Sequence, residues 1–129
     1  MSYALSTTVA TSYDETVEAV REALQEQGFG VLTEIDLRAT LKKKLDVDVP
    51  PQVILGACRP PLAHAALQAE PSIGLLLPCN VTVRESDAGT VVEAVDPQTM
   101  VTLTDNGALQ LVADEAKERL ERALAAIST

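Results

Sequence analysis

The chain has 129 residues, of which 47% are hydrophobic and 22% are charged, and its formal net charge is −9. This length and composition predict one globular domain over residues 1–129, with a core that needs no disulfide or metal to hold it together. The negative charge argues against nucleic-acid binding, which depends on Lys and Arg neutralising phosphates.

The N-terminal part is predicted to form a strand over 3–9 and then a helix. Ser12 and Glu15 have the spacing of a capping box, in which the two side chains satisfy free amide groups at the start of a helix. Apolar residues then recur at helical spacing, with glutamates on the opposite side. Gly28 follows, and a glycine at this point supplies the left-handed residue that ends a helix.

A second strand is predicted over 29–36 and a short amphipathic helix over 37–45. Alternation within the strand places residues 29, 31, 33 and 35 on one face. The helix carries the main basic cluster of the chain, beside two aspartates, and this mixture favours a solvated helix face over an anion site. The basic residues are Arg38, Lys42, Lys43 and Lys44, and the two aspartates are Asp46 and Asp48.

The segment 52–83 contains both cysteines and the only histidine. Its apolar start predicts a buried strand that ends at Cys58. Pro60 and Pro61 suit the first turn of a helix, because a proline there sacrifices no hydrogen bond. A further strand is predicted from 78 onwards, so that Cys58 lies at a strand-to-helix corner and Cys79 begins the next strand.

The last third of the chain predicts a hairpin and a long terminal helix. A turn over 87–89 joins strands over 80–85 and 90–95, and the helix begins near Asp105 or Asn106. The predicted fold is therefore α+β, a two-layer sandwich. It has a mixed or largely antiparallel sheet of about five strands and helices mainly on one face. The other face is lightly covered, and we expect a homodimer.

Two sequence blocks around the cysteines resemble the family known as domain of unknown function 302. They are Ile54–Cys58 with Pro60, and Gly74–Val81, joined through Ala66-Leu67 and Pro71. The resemblance implies a compact α+β fold, a cytoplasmic protein and a homodimer, and it implies no established activity. Asn often follows the first cysteine in the family pattern, whereas this chain has Arg59.

Cys58 is the strongest candidate for chemistry in the sequence. It precedes a predicted helix N-terminus and is followed by Arg59, and both features favour a thiolate. The alternative is that Cys58 packs as a small hydrophobic residue, as free cysteines commonly do. Cys79 follows Pro78 on an apolar strand face, where a structural role is favoured.

The candidate ligand-binding residues are Cys58, Arg59, Cys79 and Asn80, and the candidate metal ligands are Cys58, Cys79 and His64. The sequence contains no C-x-x-C pair. An alternative interpretation of His64 is that it is an exposed helix residue and not a ligand. Sequence spacing leaves open whether the two sulfur atoms meet. Two cysteines in such a chain are typical of reduced thiols in the cytoplasm, and no signal or membrane-spanning segment is predicted.

These features favour a non-enzymatic, homodimeric cytoplasmic domain that binds a small ligand or a soft metal near Cys58 and Cys79. One alternative is a thiol enzyme for redox or sulfur-transfer chemistry through Cys58, for which His64 is the only imidazole base. Another is a purely structural or interaction domain. No phosphate loop, nucleophile elbow or dinucleotide fingerprint is present, so the sequence identifies no cofactor.

Overall fold

The structure, a computed structural model, describes residues 2–128. Its centre is an antiparallel sheet of five strands in the order β1-β5-β4-β3-β2. The predicted α+β class and the largely antiparallel sheet are confirmed. The strands are β1 (Ala4–Val9), β2 (Gly30–Asp36), β3 (Gln52–Cys58), β4 (Cys79–Ser86) and β5 (Gly89–Val95).

Two long helices and several short ones accompany the sheet. The long helices pack against each other and bury their apolar sides on the sheet. No helix within residues 2–128 combines the length and the apolar character needed to cross a membrane. The helices are α1 (Tyr13–Glu26), α2 (Leu37–Leu45), α3 (Pro60–Ala69), α4 (Gln98–Thr104) and α5 (Gln110–Ile127), with 3-10 turns at Pro71–Leu76 and Gly107–Leu109.

Helix α1 begins and ends where local chemistry predicts. The Ser12 hydroxyl oxygen accepts a hydrogen bond from the Glu15 amide at 3.2 Å, which satisfies one of the free amide groups of the first turn. The same hydroxyl donates a hydrogen bond to the Glu15 carboxylate at 3.2 Å, so the side chains of Ser12 and Glu15 are also joined directly. Gly28 has φ +83°, the left-handed conformation that ends the helix.

The main hydrophobic core lies between the sheet and the two long helices. Its central side chains, Leu24, Leu55, Val83, Val92 and Leu120, are at most 2% exposed. Burying each side chain of this size stabilises the fold by about 1.5–3 kcal/mol before the cost of ordering the chain. Helices α1 and α5 form one wall of this core because their sequences are amphipathic and place apolar residues on one side.

A second, smaller hydrophobic cluster lies beside the main core. It is built from α3, α4, the two 3-10 turns and the start of α5. Ile73 and Leu109 are fully buried at its centre. The complete set of buried members is Ala66, Ile73, Met100, Leu109 and Ala113.

Strand β2 does not keep one set of residues on one face, and this sequence prediction was wrong. Val31 pairs with Ala57, whereas Thr33 pairs with Gly56, so one extra residue lies between the two pairs. Such a bulge reverses the faces of the residues that follow it. Val31 therefore packs with the main core, while Ile35 lies on the opposite side of the sheet and is 45% exposed.

The region before the terminal helix also differs from the prediction. Helix α4 was not predicted, and α5 begins at Gln110 after a 3-10 turn instead of near Asp105 or Asn106. Asp96 accepts a hydrogen bond from the Gln98 amide at 2.9 Å in the turn that leads into α4, whose N-cap residue is Pro97. Asp105 then takes a left-handed conformation and separates α4 from the following turn.

Candidate functional site

The sheet register brings the two cysteine positions together. Strands β3 and β4 are antiparallel neighbours, and Cys79 pairs with Ala57, the residue before Cys58. Strand alternation alone would direct the Cys58 side chain to the opposite face from Ala57 and Cys79. However, Cys58 is the last residue of β3, where the chain leaves the sheet for α3, and both cysteines line one cavity. Both are free thiols.

The shared cavity is small, apolar and roofed by α3. Its volume of about 20 Å³ holds one body the size of a water molecule. It lies at the seam between the main core and the second cluster, because both contribute to its wall. Besides the two cysteines, its lining includes Phe29, Ala57, Leu62, Ala66, Met100 and Ala116.

The surroundings of Cys79 act on its thiol electrostatically. Burial raises the pKa of Cys79 from 9.0 to about 11, and the negative charge of Cys58 in its thiolate form adds to this shift. Cys79 is therefore a protonated thiol at neutral pH. A ligand that binds Cys79 as a thiolate must displace its proton.

Arg59 lies at the edge of the cavity and is held there by an acidic neighbour. Its Nη1 atom is 3.5 Å from Oε2 of Glu115, which also accepts a hydrogen bond from Nε of Arg119 at 2.9 Å. Arg119 in turn donates to the carbonyl of Gln27 at 3.1 Å, at the end of α1. The three charged side chains thus link the start of α3 to α5 and to the end of α1.

One atom of Arg59 stands out in this network. Its Nε atom is buried and has no hydrogen-bond partner among the described residues. A side chain at Gly28 would bring a Cβ atom within 3.0 Å of Nε, so this glycine serves the approach of Arg59 as well as the helix end. Buried donors are normally paired, so this unpaired Nε atom, on a side chain that lines the cavity, is an exception among the described residues.

The structure separates His64 and Asn80 from the two thiols. His64 is exposed on α3, and the residues of α3 that line the cavity are on another side of the helix. Over residues 2–128, no three His, Cys, Asp or Glu side chains are grouped closely enough to hold a metal ion. The predicted three-ligand set of Cys58, Cys79 and His64 is therefore not assembled. Asn80 is exposed and lines a different groove, beside Thr82.

Sequence reasoning missed the part of the cavity wall that comes from distant elements. Met100 lies on α4, which carries no clear helical pattern, and nothing in the sequence pointed to its place near the thiols. Val112 and Ala116 have helical spacing, which predicts a core-facing side of α5 without identifying what that side covers. Only the packing of α4 on α5 and of α5 on α3 brings these residues to the cysteines.

Comparison with known proteins identifies the fold and the family. The model for the family described as "Domain of unknown function DUF302" matches residues 5–127. The chain is similar to a crystal structure of an uncharacterized conserved protein DUF302 from Bacillus stearothermophilus, with a TM-score of 0.91 and 29% sequence identity. The likeness covers 98% of this chain and 99% of that one. No curated protein matches the chain. The chain therefore belongs to the DUF302 family, whose function is unknown.

Proposed function

We propose that this protein is a binding domain that holds one soft metal ion, of the copper(I) type, between Cys58 and Cys79. The observation that carries the proposal is the shared cavity, which both cysteines line at the adjoining ends of β3 and β4. Thiolates are the protein ligands that soft ions prefer. The site would be a two-ligand site, made by these residues alone.

The size of the cavity favours an ion over an organic ligand. A volume of about 20 Å³ is far below the several hundred Å³ typical of small-molecule sites. The number of ligands then favours copper(I) over zinc, because structural zinc sites take four ligands from Cys, His or carboxylates. No third ligand of this kind joins the two thiols within the described part of the chain.

The charges around the cavity are consistent with this proposal. Two thiolates and one monovalent ion carry a net charge of −1, and such a charge is costly to bury alone. Arg59 lines the same cavity and supplies a positive charge nearby, which it shares with Glu115. The Nε atom of the same side chain is a buried donor without a partner among the described residues.

The test is a copper(I) competition experiment under anaerobic, reducing conditions. The wild-type chain should take one copper(I) from a colorimetric chelator and should melt at a higher temperature, since the ion binds the folded state. Cys58→Ser and Cys79→Ser should each lose both effects. His64→Ala is the matched control and should keep them, because His64 is exposed and outside the cavity. Zinc should raise the melting temperature of none of these proteins. If Cys58→Ser and Cys79→Ser both still bound copper(I), the proposal would be overturned.

We also propose that the protein is a homodimer in the cytoplasm. Free thiols fit a reducing compartment. Several large apolar side chains are exposed within one stretch of the chain, namely Leu32, Ile35, Leu45 and Val47. Exposed apolar groups concentrated in this way are typical of an interaction surface. Light scattering at micromolar concentration should give the mass of two chains, and a monomer mass would contradict the homodimer.

A further inference from the structure

Helix α2 is an amphipathic helix that buries none of its residues. Its apolar residues Leu37, Leu41 and Leu45 recur at intervals of four and so form one stripe. The first two are half-buried against β2 and β3, and Leu45 is 66% exposed. A nine-residue helix is marginal in water by itself, and helices of this length owe their stability to packing. Leu37 and Leu41 therefore face the sheet of their own chain, and Leu45 is the part of the stripe that lacks cover.

The same helix carries the unpaired positive charges of the protein. Across residues 2–128, seven of the ten Lys and Arg side chains form ion pairs. The three that have no ion pair are Arg38, Lys43 and Lys44, and all three lie on α2. In a chain of net charge −9, a helix with spare cations is the one element suited to an acidic partner.

A surface that complements α2 exists on this chain itself. Helices α1 and α5 border a groove of about 380 Å³ whose walls include Glu15, Glu22 and Glu26. None of these three carboxylates forms a salt bridge to a cation of the described chain. The apolar residues that line the groove include Ala19, Ala23 and Ile127. The groove thus combines three glutamates with apolar and threonine side chains, the counterpart of a basic helix that exposes Leu45.

We propose that α2 of one chain docks in the α1–α5 groove of a second copy, with the exposed Leu45 against its apolar residues and the cations of α2 on the glutamates. This inference rests on the proposed homodimer and names the surfaces that form it. It is the helix-in-groove mode of recognition. The proposed dimer has a two-fold axis, across which each α2 enters the groove of the other copy.

The open face of the sheet is less suited to this contact. Its centre is occupied by an ion pair between Arg84 and Glu93, which already satisfy each other. The apolar residues of that face in β3 and β5, Ile54, Val91 and Val95, are half-buried or buried. In the α2 region, Leu45 and Val47 are exposed, and so are Leu32 and Ile35 of the neighbouring strand β2, of which Ile35 lies at the edge of the open face.

The test is a charge-swap experiment read by sedimentation and light scattering. Lys43→Glu with Lys44→Glu should weaken dimerisation about tenfold or more, because like charges then face each other across the contact. Glu22→Lys with Glu26→Lys should weaken it to a similar extent. The chain that carries all four substitutions should dimerise again, because the charges are exchanged. Glu121→Lys is the control: it changes an exposed residue of α5 outside the groove and should leave dimerisation unchanged.

Each outcome separates the two proposals. A wild-type monomer would overturn both the homodimer and the docking contact. A wild-type dimer that neither double variant weakens would keep the homodimer and overturn the α2 contact. Weakening by both double variants without recovery in the fourfold variant would also overturn the direct pairing of α2 with the groove. Circular dichroism of each variant should match the wild type, since the substituted side chains are exposed in the single chain.

Discussion

The two hydrophobic clusters of this protein differ in how they are built. The main core joins neighbouring strands to two helices of 14 and 18 residues, and its central side chains include Leu55 and Leu120. The second cluster joins short helices and 3-10 turns around Ile73 and Leu109. Short elements with fewer buried groups open at a lower free energy than the elements of a central core. The thiol cavity lies where the two clusters meet, so one wall is rigid and the other is the easier one to displace.

The largest effect is expected from breaking the main core. Leu55→Ala should lower the free energy of unfolding by about 3–5 kcal/mol, because Leu55 is fully buried in β3 and a cavity would remain. The measurement is chemical denaturation followed by circular dichroism. Leu103→Ala is the control, since Leu103 is 65% exposed, and it should change stability by less than about 0.5 kcal/mol. A loss below about 1 kcal/mol in Leu55→Ala would contradict this description of the core.

A smaller and more local effect is expected from the second cluster. Leu109→Ala should lower the free energy of unfolding by about 2–3 kcal/mol, at the lower end of the range for such substitutions. Leu109 is fully buried, but the short elements around it can relax more easily than the sheet. The variant should also increase the alkylation rate of Cys79 under native conditions more than Leu55→Ala does. Equal acceleration in both variants would mean that the two clusters open together, and the proposed difference between them would be lost.

The sequence predicted the features that depend on neighbouring residues. Ser12 and Gly28 define the ends of α1 because their hydrogen bonds and backbone angles are set within a few residues. Helix α4 was missed because its sequence contains three threonines and a valine, which are weak helix formers. Its helical form instead depends on the hydrogen-bonded turn at Asp96 and on the burial of Met100 against distant residues.

The site could be predicted only in part, for a related reason. Sequence identified Cys58, Arg59 and Cys79, and these three residues line one cavity. Their proximity depends on the pairing of β3 with β4, and the sequence does not reveal the register of that pairing. The bulge in β2 is equally non-local, because it is defined by the partner strand. His64 and Asn80 were proposed from their closeness in sequence, and their side chains are directed elsewhere.

The smallest expected effect is a difference in alkylation rate between the two thiols of the cavity. At neutral pH, Cys58 should alkylate faster than Cys79 in the native protein, because the raised pKa keeps Cys79 protonated. The alkylation rate of native Cys79 should keep rising as the pH increases from 9.0 towards about 11, since the thiolate fraction grows through that range. In the unfolded chain the rate should level off at lower pH. A native rate for Cys79 that levels off near pH 9.0 would show that burial does not raise its pKa.

The central claim is that Cys58 and Cys79 act as a pair at one site. X-ray absorption spectroscopy of the protein loaded with one copper(I) per chain tests this claim most directly. The account predicts two sulfur ligands per copper and no nitrogen ligand, because His64 lies outside the cavity. It also predicts that Cys58→Ser and Cys79→Ser each abolish this spectrum. A copper ion bound by nitrogen or oxygen atoms, or by only one sulfur, would contradict the claim.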